Sequence, residues 1–167
     1  MSRQRGFTLL EILVVMTLFG FVLGIAVLNV GGNEARELRL FARHVHAVMQ
    51  YAAEEAELQG IQMGLQVTNS SLQFVYFNDT EDFWEVMKSK PFLPLDIPEQ
   101  AQVKIEIEDF AGQEDVPVGE GAVEQPQILF LSNGDTTPYT LLLELPGREA
   151  YRLLSDGLNI KLEESTF

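Results

Sequence analysis

The sequence predicts an α+β fold in which one long N-terminal helix packs on antiparallel β-sheet. Three observations support this prediction. An apolar run occupies the N-terminus, apolar residues then recur every three or four positions over 33–59, and a two-residue alternation begins at position 61. We therefore expect a short leader (1–6), a transmembrane helix (7–30) and one soluble domain (31–167).

The N-terminal segment has the composition of a single-pass membrane anchor. Arg3 and Arg5 precede an apolar stretch, Phe7 to Leu28, that spans about 33 Å as a helix and is long enough to cross the hydrocarbon core. Because positive charge stays on the cytoplasmic side, we expect a cytoplasmic N-terminus and a soluble domain beyond the membrane. The alternative is a secretory signal peptide cut near Val30, but the apolar run exceeds the roughly 7–15 residues of that class.

A carboxylate lies inside this apolar run, at Glu11. A charge at the centre of a bilayer costs on the order of 3 kcal/mol, so an acid in such a segment indicates a function. A plain signal anchor with Glu11 near its end is the alternative interpretation. Gly20 and Gly24 form a G-x-x-x-G pair, which permits close approach of another helix. We predict that these two glycines pack against a neighbouring helix.

The sequence GFTLLE at 6–11, preceded by a basic leader, resembles the processing motif of type IV prepilins and type II secretion pseudopilins. The resemblance implies that prepilin peptidase cuts after Gly6 and methylates the new N-terminus, Phe7. Glu11 then becomes the fifth residue of the mature chain and lies about 6 Å along the helix from the new ammonium. In a filament it is placed to pair with the terminal amine of a neighbour. Such a pair sets register more than stability, because desolvation offsets much of the attraction.

The soluble domain is predicted to begin with an amphipathic helix (33–59) and to continue as a β-sheet region (61–164). The glycine-containing stretch 29–33 allows either a kink or a continuous helix. Residues 111–126 are rich in Gly, Pro and Glu and are predicted to form an exposed loop. Four alternating segments then predict an antiparallel meander, and they are Ile128–Leu131, Tyr139–Leu145, Ala150–Leu154 and Leu158–Leu162.

This order of elements resembles the H-type minor pseudopilins of type II secretion (the GspH family) and the related minor pilins of type IV pili. The stretch ILFLSNGDTTPYTLLLEL at 128–145 looks like the strand–turn–strand of that family. The resemblance implies a type IV pilin-like fold and a single-pass protein of the bacterial inner membrane. It also implies assembly into a periplasmic pseudopilus that drives export of folded proteins across the outer membrane.

The partners that the resemblance implies are other major and minor pseudopilins, prepilin peptidase, the inner-membrane secretion platform and the secreted substrate proteins. The first alternative is a type IV pilus minor pilin that primes fibre assembly. The absence of cysteine mildly favours the pseudopilin, since pili endure shear outside the cell. The second alternative, of another class, is a membrane-anchored periplasmic binding or enzymatic domain.

No motif for catalysis, for a phosphate or for a cofactor occurs in the sequence, so we expect a protein that is not an enzyme. The net charge of −14, with 25 acidic and 11 basic residues, argues against nucleic acid as a partner. His44 and His46 are two positions apart on a helix and point about 200° away from each other, so they cannot share a metal. Calcium is a weaker expectation, because the scattered acids lack EF-hand spacing.

Overall fold

The computed structural model describes residues 8–107 and 125–166, with the side chains of 25–32 and 165–166 outside the description. The predicted leader (1–6) and nearly all of the predicted loop (111–126) therefore lie outside the described residues. What is described is one long helix followed by nine strands, which confirms the predicted α+β fold.

The helix α1 runs without interruption from Leu9 to Gln59, a length of 51 residues, or about 76 Å at 1.5 Å per residue. Of the two alternatives for 29–33, the structure shows the continuous helix. At its start the Thr8 hydroxyl accepts a hydrogen bond from the Glu11 N–H at 3.3 Å. At its end Gly60 adopts φ +67°, and its N–H donates to the Ala56 carbonyl. A residue without Cβ suits this left-handed position.

The strands form two antiparallel sheets. The first sheet has the order β3-β2-β1-β6, with β4 also paired to β2, and the second has the order β5-β7-β8-β9. The bounds are β1 Met63–Val67, β2 Ser71–Asn78, β3 Phe83–Val86, β4 Leu95–Asp96, β5 Gln102–Ile107, β6 Ile128–Phe130, β7 Tyr139–Glu144, β8 Glu149–Ser155 and β9 Ile160–Thr166.

The prediction that Ile128–Leu131 is the first strand of the C-terminal meander is wrong. The strand in this region, β6, pairs with β1 of the first sheet, in the register Met63 with Phe130 and Leu65 with Ile128. The meander consists of β7, β8 and β9. Alternation identifies a strand and its buried face, but it does not identify the neighbour across the hydrogen bonds.

The core lies between one side of α1 and the inner faces of both sheets. Six helix residues at spacings of three or four have no exposed surface, and they are Leu38, Ala42, Val45, Met49, Ala52 and Ala56. The largest buried side chains of the sheets are Phe74 and Phe130, and Leu141, Leu143 and Leu153 are also fully buried. Small residues in the second half of the helix allow the sheets to approach its backbone closely. The core therefore begins near position 38 and involves only the second half of α1.

Candidate functional site

The first half of α1 projects from the folded domain. Its large apolar side chains are exposed on every side of the helix, with exposed fractions from 42% at Val15 to 88% at Leu9. The tertiary core begins only at Leu38. Among the described residues, no helix is both apolar enough and long enough to cross a membrane. Phe7 and the side chains of 25–30, which belong to the predicted span 7–30, lie outside the description.

Glu11 lies in the first turn of this projecting helix. Its backbone N–H is bonded to Thr8, as described above, and its side chain is exposed. Within the described chain the ion pairs are Lys104–Glu144 and Arg148–Glu34, so none of the described cations neutralises the Glu11 carboxylate. Any charge partner of Glu11 in the folded protein must therefore come from the undescribed residues or from outside the chain.

Gly20 and Gly24 lie on the same projecting segment. A Cβ built on either glycine would meet no heavy atom within 4 Å, leaving out the helix's own nearby backbone. The single chain therefore gives no internal packing reason for glycine at these positions. The structure places Glu11, Gly20 and Gly24 on one free helix, whereas Gly6 and Phe7, the predicted cleavage and methylation residues, lie outside the described residues.

Besides the apolar core, two polar contacts that the sequence did not suggest join α1 to the rest of the domain. Arg148 Nη1 lies 2.7 Å from Glu34 Oε2. Twelve residues further along α1, His46 Nε2 donates to the Ile160 carbonyl at 3.1 Å. These contacts link α1 to β9 and to the turn before β8. The charged groups of Glu34 and Arg148 and the ring of His46 are evident in the sequence. Each contact joins residues 114 positions apart, so local spacing does not predict it.

His44 is exposed, whereas the His46 ring is bonded to the Ile160 carbonyl of the sheet. Within the described ranges, no three or more His, Asp and Glu side chains come together as a metal-binding group. Burial raises the pKa of the Tyr139 hydroxyl, whose hydrogen bond goes to the Met49 sulfur at 3.8 Å. The Asn159 and Leu158 backbone N–H groups lower the pKa of the Asp156 carboxylate. The shift at Tyr139 results from burial in the core, and the shift at Asp156 results from hydrogen bonds within a turn. Neither group lies on the projecting first half of α1.

Comparison with known proteins gives the same interpretation of the N-terminus and extends it to the whole chain. Residues 1–27 match the prokaryotic N-terminal methylation motif. The type II secretion system protein H of Pseudomonas aeruginosa is 29% identical over 167 residues, covering 96% of this chain and 95% of that protein. The protein of the same name from Aeromonas hydrophila is 32% identical over 148 residues, covering 84% of this chain and 81% of that protein.

A solved structure supports the fold. The minor pseudopilin EpsH from the type 2 secretion system of Vibrio cholerae superimposes with a TM-score of 0.61 at 22% identity, covering 76% of this chain and 96% of that chain. At this identity the likeness shows the fold, while the Aeromonas relative shows the family. The chain therefore belongs to the type II secretion system protein H family, the H-type minor pseudopilins.

Proposed function

We propose that this minor pseudopilin is cut after Gly6 by prepilin peptidase, methylated at Phe7 and assembled into the periplasmic pseudopilus that drives export of folded proteins across the outer membrane. The observation that carries the proposal is the exposed Glu11 carboxylate, which has no cationic partner in the described chain. It lies four residues after Phe7, inside the matched methylation motif. Cleavage after Gly6 creates a new ammonium at Phe7, four residues before this carboxylate.

The proposed assembly uses the projecting half of α1. Its exposed apolar surface is stable in the inner membrane before assembly and against other apolar helices after it. The proposed orientation is single-pass, with a cytoplasmic N-terminus and a periplasmic domain. A neighbour displaced by about 6 Å along the helix axis places its own terminal ammonium level with Glu11. At Gly20 and Gly24 an added Cβ would meet no described atom beyond the helix's own backbone, so these positions permit the close approach of the neighbouring backbone.

The proposed role is mechanical, without catalysis and without a bound cofactor or calcium ion. The partners are other major and minor pseudopilins, prepilin peptidase and the inner-membrane secretion platform. The secreted proteins are the molecules that the pseudopilus moves. The named relatives belong to a secretion system, which supports this choice over a type IV pilus. Co-purification with pilus subunits, and with no secretion subunit, would overturn it.

Processing is tested by the intact mass and N-terminal sequence of the chain isolated from membranes. The expected chain begins with N-methylated Phe7. A chain that begins at Met1, or near Val30, would contradict the proposal.

Assembly is tested with Glu11→Leu and with a matched control, Glu37→Leu, which removes an exposed carboxylate from the soluble half of the same helix. We expect Glu11→Leu to be cleaved normally but to lose incorporation into the pseudopilus and to reduce secretion. Glu37→Leu should behave as the wild type in both assays. Normal incorporation of Glu11→Leu would refute the pairing role of this carboxylate.

A further inference from the structure

The soluble half of α1 has a face that the domain leaves uncovered. Its core side packs on both sheets, and two contacts mark the borders of the free side. On one border His46 is bonded to Ile160 of β9, and on the other the Tyr51 ring stacks on Phe92 with centroids 5.5 Å apart. Between these borders lies the outer face, which consists of the exposed residues Arg36, Arg39, Leu40, Arg43, Ala47, Glu54, Glu57 and Leu58.

The charges of the outer face are separated along the helix. Its lower part contains an arginine stripe, which consists of Arg36, Arg39 and Arg43 and extends over about 10 Å of the axis. No acidic residue occurs between positions 38 and 53, although the chain as a whole has a net charge of −14. The two glutamates of the outer face lie only near the end of the helix. The part of this face nearest the membrane is therefore basic, in an otherwise acidic protein.

The energetics of the helix do not account for this distribution. The C-terminal end of a helix favours cations, yet the last turn of α1 has no basic residue and contains Glu57. The arginine stripe lies far from both ends, where the helix dipole has little effect. None of its three side chains takes part in an ion pair within the described part of the chain. The stripe is thus available to an anionic molecule outside the described chain.

The stripe begins close to the expected membrane surface. Arg36 follows Leu28, the last residue of the predicted apolar run, by eight residues or about 12 Å along the helix. The headgroup region extends about 5–7 Å beyond the hydrocarbon on each side of a bilayer. Long side chains on a helix point toward its N-terminus, which here is toward the membrane. The guanidinium of Arg36 is therefore placed to reach the headgroups.

We propose that the arginine stripe binds the phosphate groups of anionic phospholipids at the periplasmic surface of the inner membrane. This inference rests on the proposed function, which places the soluble domain on that side. A guanidinium group is planar, and its N–H groups match a pair of phosphate oxygens. Each arginine near an anionic surface favours the bound state about fivefold.

Contact along the whole stripe requires α1 to lean toward its outer face. In an upright helix Arg43 lies about 22 Å beyond Leu28 and does not reach the headgroups. Membrane helices tilt by up to about 40°, and such a lean lowers Arg39 and Arg43 to within about 8 Å of the headgroups, one Debye length. Since the sheets pack on the opposite side of α1, the lean moves them away from the membrane. The lipid contact thus sets the direction in which the unassembled subunit leans.

The contact is tested with the full chain in lipid vesicles at a low ratio of protein to lipid. The native chain contains no cysteine, so a fluorophore on Leu40→Cys reports on the stripe alone. The vesicles contain phosphatidylcholine, with or without phosphatidylglycerol, and a lipid that carries a nitroxide quencher on its headgroup. We expect strong quenching only in the anionic vesicles, and high salt should remove it. The same fluorophore on Leu58→Cys, on the same face but about 27 Å further along the helix, should be quenched in neither.

Charge substitutions test the role of the stripe. Arg36→Gln, Arg39→Gln and Arg43→Gln combined should lower the ratio of lipid-bound to free stripe about tenfold or more. Lysine at the same three positions keeps the charge and should keep most of the quenching. The matched control, Lys88→Gln with Lys90→Gln, removes positive charge at exposed positions away from the outer face and should leave the quenching unchanged.

Three results would overturn this inference. They are equal quenching with and without phosphatidylglycerol, quenching that the glutamine substitutions do not change, and cross-linking of Leu40→Cys to another protein in inner membranes without quenching in vesicles. The last result would assign the stripe to a protein partner. The N-terminal mass of the chain from inner membranes separates this failure from failure of the proposed function. A chain that begins with methylated Phe7 but is not quenched overturns only the lipid contact, whereas an uncut chain overturns the proposed function.

Discussion

Gly64 is the position where a single added methyl group is expected to disturb the fold most directly. It is the second residue of β1, opposite Val75 of β2 and Leu129 of β6. A Cβ at this position would stand 2.4 Å from Pro126 Cγ, 2.6 Å from Pro126 Cβ and 3.0 Å from the Ile128 carbonyl oxygen. Carbon atoms in favourable contact are about 3.5–4.0 Å apart, so the proline ring must move by about 1 Å or more.

The size of the effect follows from two opposing contributions. Inserting a methyl group into a packed site costs about 1–3 kcal/mol, and the upper end applies because Pro126 is itself buried at the entry to β6. Replacing glycine by alanine also stabilises the folded state by about 0.4–1 kcal/mol, because alanine has fewer accessible conformations in the unfolded chain. We therefore expect Gly64→Ala to lower the free energy of unfolding by about 2 kcal/mol.

The assay is urea unfolding of the full chain in detergent, followed by tryptophan fluorescence. The chain has one tryptophan, Trp84, which is 4% exposed and belongs to the same sheet as Gly64. The unfolding midpoint should fall while the slope stays the same, because the surface exposed on unfolding does not change.

A double-mutant cycle identifies the cause. Pro126→Gly removes both ring atoms that the new methyl group would meet, so Gly64→Ala should cost about 1–2 kcal/mol less in that background. Strictly additive effects would refute the steric explanation. Wild-type stability of Gly64→Ala would refute it as well.

Three further effects on stability are expected. Tyr139→Phe should change stability little near neutral pH, because among the described residues its hydroxyl bonds to the Met49 sulfur, which is a weak acceptor. Burial raises the pKa of Tyr139, so the unfolded state loses this proton first, and wild-type stability should fall above about pH 10 by up to about 1.4 kcal/mol per pH unit. The decline in urea midpoints should be smaller in the Phe variant but should not vanish, because the pKa values of Tyr76 and Tyr151 are also raised, first by burial and then by nearby glutamates. Gly60→Ala, at φ +67°, should cost about 1–2 kcal/mol in the same urea assay. Arg148→Ala should cost about 0.2–1 kcal/mol through the lost pair with Glu34, and a difference that does not shrink in high salt would contradict an electrostatic origin.

Local patterns in the sequence were sufficient to predict the helix and the C-terminal strands. The spacing of Leu38, Ala42 and Val45 predicts which side of α1 is buried, and these residues have no exposed surface. Alternation between Tyr139 and Leu145 predicts β7, where every second side chain is buried. Such patterns act over a few residues, and burial of one face enforces them.

Contacts between distant segments were not predictable in the same way. The partner of β6 depends on which sheet edge is free after the chain has folded around α1, and the alternation of Ile128 and Phe130 is the same for either sheet. The bonds from His46 to Ile160 and from Arg148 to Glu34 each join positions 114 apart in the chain. No local spacing specifies such pairs, because they are selected by the packing of whole elements.

The continuity of α1 through 29–33 connects the proposed contact of Glu11 to the folded domain. Gly31 and Gly32 lower the helix propensity there by about 1 kcal/mol each relative to alanine, yet the helix runs through them. A bend at this point would change the direction of Glu11 relative to the folded domain. In an uninterrupted helix the first half and the domain share one axis, so a neighbour that is positioned through Glu11, as proposed above, also restricts where the two folded domains can meet. The continuous helix therefore links the proposed contact at the N-terminus to the arrangement of the domains.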